Sequence, residues 1–373
     1  MMEGCFGGVY KGKKVLVTGH TGFKGSWVSL FLSELGAEVL GYALEPITDQ
    51  SLFYAIGLKD KIHHIIGDIR DESKLLSVFK DFKPTFVFHM AAQPLVRLSY
   101  KEPKLTYETN IMGTVNLFEC VRKIDSVRVV VNVTSDKCYQ NKEWVWGYRE
   151  DDPMGGYDPY SASKGSAELI TSAYRTSYFN VNRVGDHRVV LSSVRAGNVI
   201  GGGDWAEDRL VPDCIRALSK DKEIAIRNPR AIRPWQYVLD PLSGYLWTGA
   251  KMYSDHTFGC AWNFGPGDSD MLTVEEVVRL VVKYWGKGCY SVDNSHNPHE
   301  ARLLKLDCSK ARILLEWAPV YDVRTAIKET VDWYSDYYRE KKDMLQLTID
   351  KIKDFVLKAR EKVIVWSNVE NHE

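Results

Sequence analysis

The chain has 373 residues, 45% hydrophobic, with 49 basic against 49 acidic side chains and so a formal charge of zero. This length allows one large domain or two closely joined ones around a sizeable core, and the neutral balance excludes an overall basic, nucleic-acid-binding protein. Seven scattered cysteines without a Cys-x-x-Cys pair, histidines without metal-ligand spacing, no run near the roughly 18 apolar residues that span a bilayer, and a Gly-rich start lacking a signal core together predict a cytoplasmic protein with reduced thiols, no metal and no membrane partner.

Residues 14–18 read as a buried strand, followed by Gly19-His-Thr-Gly-Phe-Lys-Gly25 and an amphipathic helix over 26–35. Strands follow at 38–42, ending at 64–68, and at 85–89, 129–133 and 188–194. Helical stretches lie between them near 72–82, 104–123 and 158–178. This alternation predicts an α/β fold with a doubly wound parallel sheet of Rossmann type, its crossovers right-handed. Beyond Arg195, Gly- and Trp-rich turns (201–205, 233–236, 263–267) separate shorter helices. The expected organisation is a dinucleotide-binding domain over 12–195, with segments near 234–260 packing back on it. A smaller interleaved substrate lobe covers 196–338, and a helical tail, docked or facing a partner, covers 339–373.

Gly19-x-x-Gly22-x-x-Gly25 stands between strand and helix, where glycines permit a tight turn and close approach of a pyrophosphate. A merely structural Gly-rich turn is the competing reading. Glu45, just past the second strand, is placed to grip a ribose, and an ordinary solvated turn residue would look the same. Asp68 and Ile69, ending the third strand, are placed to hold the adenine, and the small Ala91 and Ala92 let a cofactor lie flat across the sheet edge. No arginine falls between Gly25 and Arg70, which favours NAD over NADP.

The chemistry is expected at Ser135-Asp136-Lys137, which follows the 129–133 strand, and at Tyr160-Ser-Ala-Ser-Lys164, which opens a helix with Tyr and Lys at i and i+4 on one face. Ligands of open α/β sheets bind beyond the carboxyl ends of the strands, so a hydroxyl, an acid, an amine and a Tyr–Lys pair should converge there. A nearby ammonium and a nicotinamide cation would both favour the Tyr160 phenolate, fitting it to take a proton from a hydroxyl.

Over residues 12–338 these motifs, with His89-Met-Ala-Ala-Gln93 and Asn110-Ile-Met-Gly-Thr114, resemble the extended short-chain dehydrogenase/reductases, specifically the nucleotide-sugar 4,6-dehydratases. Most of that family carry Thr-Asp-Glu where this chain has Ser135-Asp136-Lys137. Ser-Asp-Lys, His20-Thr-Gly-Phe-Lys-Gly25 and Gly201-Gly-Gly-Asp-Trp205 are similar to the branch that acts on CDP-glucose. The resemblance implies NAD along Gly19, His20, Thr21, Gly22, Phe23, Lys24, Gly25, Asp68, Ile69, Ala91, Ala92, Gln93, Asn110, Tyr160 and Lys164. It implies the nucleotide sugar at Gln93, Asn198, Trp205, Arg209 and Arg233, with His299, Glu300 and Arg302 near the nucleotide. For Trp205, core packing is an equal alternative.

The chemistry so implied is oxidation at C4 by Tyr160 and NAD, loss of the C6 hydroxyl with Asp136 as acid, and hydride return to C6. The setting is deoxysugar biosynthesis for lipopolysaccharide O-antigen. Lys137 takes the place of the family's C5 base, which requires a neutral amine; pairing with or positioning Asp136 is the other reading. The helices 104–123 and 158–178 are apolar over more than one face; the resemblance implies that they form a four-helix bundle between the subunits of a homodimer, and packing within one chain would explain the pattern as well. A 4-epimerase, a dehydratase for a GDP-, dTDP- or UDP-sugar, and a non-enzymatic NAD-binding scaffold are the competing functions.

Overall fold

In a computed structural model, residue 2 and residues 4–267, 270–292 and 303–368 are described; His299, Glu300 and Arg302 lie outside them. Six strands alternate with helices through the first half: β1 (Lys14–Thr18), β2 (Glu38–Ala43), β3 (His63–Ile66), β4 (Phe86–His89), β5 (Val129–Val133) and β6 (Val190–Arg195). A late strand, Ala261–Asn263, pairs with β6 and completes a seven-stranded sheet. From that edge the order is late strand, β6, β5, β4, β1, β2, β3, every neighbouring pair parallel. The strand order reverses at β1, between β2 and β4, which creates the crevice for ligands.

Both faces of the sheet are covered, which is why its strands are continuous apolar runs. Along β1, Val15 and Val17 enter one core while Leu16 enters the other; β5 divides the same way, Val129 and Val131 against Val130. The helix α1 (Phe23–Glu34) was expected to be amphipathic, but Trp27, Val28, Leu30, Phe31 and Leu32 are all buried, and so are Ser26 and Ser29. The reason lies at the far end of the chain. The C-terminal helix Met344–Glu361 lies against α1, and Trp366 stacks on Phe6 at 4.9 Å between ring centroids. The tail therefore docks on its own chain and roofs a helix that would otherwise be half-exposed.

The expected helix over 104–123 is broken into Pro103–Tyr107, a π-helical turn Glu108–Met112, and Gly113–Arg122. The break falls beside the end of β3, where a Cβ on Gly113 would lie 2.6 Å from the Ile69 side chain. Such widened turns recur at functional sites. Among the described residues no helix is long and apolar enough to cross a membrane.

Candidate active site

A cleft of about 1500 Å³ opens at the carboxyl ends of the strands and extends over residues between Ala196 and Trp235. Its walls bring together Gly19, Thr21, Gly22, Phe23, Lys24, Gly25, Glu45, Asp68, Ile69, Ala91 and Ala92 from one side. Ser135, Asp136, Lys137, Tyr160 and Lys164 line its centre, and Asn198, Trp205, Arg209 and Arg233 the far side. Residues separated by more than 200 positions thus share one cavity.

The turn after β1 fits a dinucleotide pyrophosphate. Gly19 has φ 78°, and a Cβ there would lie 2.7 Å from the Ala91 nitrogen; a Cβ on Gly25 would lie 2.0 Å from the Gly19 oxygen. Gly22 caps α1 without a side chain, so the leading N–H groups of the helix stay available to an anion. Glu45 accepts a hydrogen bond from Tyr54 at 3.0 Å, and Asp68 is held by Arg70 at 2.6 Å. Arg70 also reaches Glu108 at 3.4 Å, so its charge is already matched by carboxylates.

Three residues expected at the cofactor do not line the cleft. His20 turns behind the loop into the space left by Gly41, its Nε2 2.7 Å from His64 Nδ1, and burial pushes its ring down to about 3. Gln93 is buried: its Oε1 accepts from the Leu95 N–H at 2.6 Å, and its Nε2 donates to Thr106 at 2.9 Å. Asn110, inside the π turn, accepts from the Gln93 N–H at 2.8 Å and donates to Ser163 at 2.8 Å. The two amides are saturated by one another's surroundings and shape the loop after β4, leaving them no free group for a ligand.

The reacting groups stand on firmer supports. Ser135 caps a short turn over Asp136–Cys138, accepting from the Lys137 N–H at 3.2 Å. Its hydroxyl donates to Asp136 Oδ1 at 3.0 Å, and Lys137 Nζ pairs with Asp136 Oδ2 at 2.6 Å. Asp158 and Pro159 start the helix Pro159–Ser177, with Asp158 accepting from the Ser161 N–H at 2.9 Å. One turn apart on its inner face, Tyr160 and Lys164 are 9% and 7% exposed.

Burial pushes the Tyr160 phenol up to about 12, while the neighbouring Ser135 hydroxyl and the charge of Arg209 pull the other way. The protein's own groups therefore do not supply the lowering expected from the sequence. Burial also pushes Lys164 down to about 8, opposed by Glu168, and Lys24 down to about 7 with help from Lys164 and Arg209.

Behind the site lies a closed ionic network. Arg195, at the end of β6, grips Glu168 through Nε at 2.8 Å and Nη2 at 2.7 Å, both side chains at most 4% exposed. Thr134, next to Ser135, also donates to Glu168, as does Ser193 at 2.7 Å. Arg195 further donates to Tyr139 at 2.5 Å. The carboxylate thus ties β5, β6 and the Tyr160 helix together.

On the far side of the cleft, Arg209 pairs with Asp204 at 2.7 Å, which holds its guanidinium above the ordinary value. The Trp205 ring is 5% exposed, set against Trp333, Tyr334 and Tyr337, with its N–H on Tyr338 at 2.9 Å. It packs as core at the cleft wall. The buried Asn198 Nδ2 and Trp235 Nε1 have no partner among the described residues, and both residues line the cleft. Trp235 was not singled out from the sequence, nor were Arg97 and Arg227, which share Asp208 at 3.0 and 3.3 Å on the cleft wall. Each comes from a different segment, and no local pattern marks them.

A parallel sheet reversing at a glycine turn, with a Ser/Tyr/Lys set beside it, defines a dinucleotide-dependent enzyme of the short-chain dehydrogenase/reductase class. Residues 16–330 match the family described as GDP-mannose 4,6 dehydratase, and the chain belongs to that family. It is 53% identical to the CDP-glucose 4,6-dehydratase of Salmonella typhimurium, over 93% of this chain and 97% of that one. Among solved structures, the dTDP-glucose 4,6-dehydratase of Bacillus anthracis in complex with NAD superposes with TM-score 0.71 at 23% identity, covering 90% and 99% of the two chains. The Thermus thermophilus UDP-glucose 4-epimerase complex with NAD does so with TM-score 0.72 at 25% identity, covering 86% and 98%.

Proposed function

We propose that this chain is an NAD-dependent lyase that converts CDP-glucose to CDP-4-keto-6-deoxyglucose and water. The observation that carries the reading is the Ser135–Asp136–Lys137 cluster facing Tyr160 in a cleft that fits a dinucleotide. An epimerase uses a tyrosine, a lysine and a hydroxyl at C4, and has no work for an additional acid and amine. The 53% identity over nearly the whole chain supports CDP-glucose as the substrate.

Gly19–Gly25, Asp68, Ile69, Ala91 and Ala92 would hold NAD, which would supply the acceptor for the C4 hydride and the donor that reduces C6. Tyr160 removes the C4 hydroxyl proton, with Ser135 sharing that hydroxyl and Lys164 stabilising the phenolate. The resulting ketone acidifies C5. Asp136 protonates the departing C6 hydroxyl, and Lys137 takes the C5 proton and gives it back when C6 is reduced. Asn198, Arg209 and Arg233 bind the diphosphate, bidentate arginine contacts being suited to phosphate oxygens.

The working unit is a cytoplasmic homodimer. Tyr107, Met112, Leu169 and Tyr178, on the two helical segments 103–122 and 159–178, are large apolar side chains left 37–62% exposed, and this face forms the contact.

Purified protein with NAD should give the alkali-dependent chromophore of a 4-keto sugar from CDP-glucose, and none from GDP-mannose, dTDP-glucose or UDP-glucose. Turnover of one of those three alone would overturn the substrate assignment.

A further inference from the structure

Asp136 lines the large cleft and also a second, much smaller cavity. That cavity measures about 20 Å³, and Gly197, Gln236, Phe264, Met271 and Lys305 are among its other walls. Its volume suits one water molecule, which needs at least about 10–15 Å³ and two or more polar partners. Gln236 supplies such a partner. The residue is 2% exposed and ends the Arg233-Pro-Trp-Gln236 turn, in which the dehydratase chemistry uses Arg233 alone. Its Nε2 donates to two carbonyl oxygens, of Gly197 at 2.9 Å and of Phe264 at 3.2 Å. Those contacts fix which end of the amide is which, so the remaining polar atom, Oε1, is an acceptor. Oε1 is buried with no partner among the described residues, and buried acceptors are nearly always met by protein or by water.

Gln236 also bears on Asp136 through the backbone. Its N–H donates to the Asn198 carbonyl at 3.2 Å, so its main chain and side chain together hold residues 197 and 198. The Asp136 carboxyl lies directly against Gly197: a Cβ there would sit 2.1 Å from Oδ2, 2.2 Å from Cγ and 2.6 Å from Oδ1. Any shift of Gly197 therefore moves the wall on which the carboxyl rests.

Building on the dehydratase reading above, we infer that Gln236 is a positioning residue for the acid Asp136: it holds Gly197 against the carboxyl and seats a water molecule that bridges its Oε1 to Asp136. A water has two hydrogens, one for the amide oxygen and one for the carboxyl. Ser135 already donates to Oδ1 and Lys137 to Oδ2, so the water is a third donor, in the small cavity. Three donors and the Gly197 wall keep the carboxyl in one orientation, which delivery of its proton to the C6 oxygen requires.

The test is a single turnover of NAD-loaded Gln236→Met with CDP-glucose. Methionine keeps an unbranched side chain of similar volume and removes the amide. Oxidation at C4, read as nicotinamide absorbance in the near ultraviolet, should run near the wild-type rate. Loss of the C6 hydroxyl, read as the 4-keto-6-deoxy product, should slow by about 10²-fold, the scale of a misplaced group, so that the absorbance persists. CDP-6-deoxy-6-fluoroglucose separates a misplaced acid from general damage, because fluoride departs without a proton; the variant should release it near the wild-type rate. Loss of the hydroxyl at the wild-type rate, or hydroxyl and fluoride loss slowed alike, would overturn the inference. A crystal structure of the wild-type holoenzyme tests the bridge without any substitution. One ordered water should stand within about 3.2 Å of both Gln236 Oε1 and an Asp136 oxygen, and a dry cavity would overturn the inference. Absence of C4 oxidation in the wild type would instead overturn the substrate reading, with the diffraction result still deciding the bridge. Thermal melts with and without NAD establish that the variant is folded and loaded.

Discussion

Glu168→Gln probes the ionic network that supports the reacting groups. Glu168 accepts four hydrogen bonds, two from Arg195 and one each from Thr134 and Ser193. Glutamine keeps the volume but turns one acceptor into a donor and removes the charge. Arg195, 3% exposed, would then be buried against neutral acceptors, the amide oxygen, the Tyr139 hydroxyl and the Glu150 carbonyl, with its paired carboxylate gone. Breaking a buried ion pair from one side costs about 3–5 kcal/mol, and urea denaturation should show a loss of that size. Glu168→Leu with Arg195→Met removes both charges and should recover most of it. Activity carries a second signature. Glu168 opposes the burial that pushes Lys164 down to about 8, so without that carboxylate Lys164 loses its proton at lower pH and the alkaline limb of the rate profile moves the same way. A single-variant loss below about 1 kcal/mol, the range of exposed pairs, with an unmoved alkaline limb would refute the reasoning.

Gly197→Ala would place a Cβ 2.1 Å from Asp136 Oδ2. A displacement of this order costs about 10²-fold in rate, so kcat for dehydration should fall while NAD-induced stabilisation in a thermal melt is retained. Asp240, fully buried with Oδ1 accepting from the Val320 N–H at 2.6 Å, is pushed up to about 8 by burial. Its folded value lies above its unfolded value of about 3.9, so its contribution is whole below about pH 4 and is lost as pH rises through about 8. Asp240→Asn should flatten the decline of the urea midpoint between about pH 5 and about pH 9. Leu169→Glu, at a side chain 62% exposed on the Tyr160 helix, should sediment as a monomer where the wild type sediments as the proposed homodimer.

Much of the molecule follows from short-range patterns. Alternating β-branched runs and helical periods specify a parallel sheet with both faces buried, since each strand must shed apolar side chains in two directions. The glycine turn, the Ser-Asp-Lys strand end and the Tyr-x-x-x-Lys helix carry their chemistry in consecutive residues, so their positions could be read directly. Side-chain direction could not. His20, Gln93 and Asn110 stand inside recognisable motifs, yet His20 Nε2 and the two amides are engaged by residues 44, 13 and 53 positions away. The same holds for α1, whose outer face is covered by a helix more than 300 residues later. Arg97, Arg227 and Trp235 reach the cleft wall from unrelated segments. Local sequence determines which elements form and which reactive groups they carry. Which hydrogen bonds are already satisfied, and hence which groups remain free for a ligand, is decided only when distant segments compete for the same donors and acceptors in a close-packed interior.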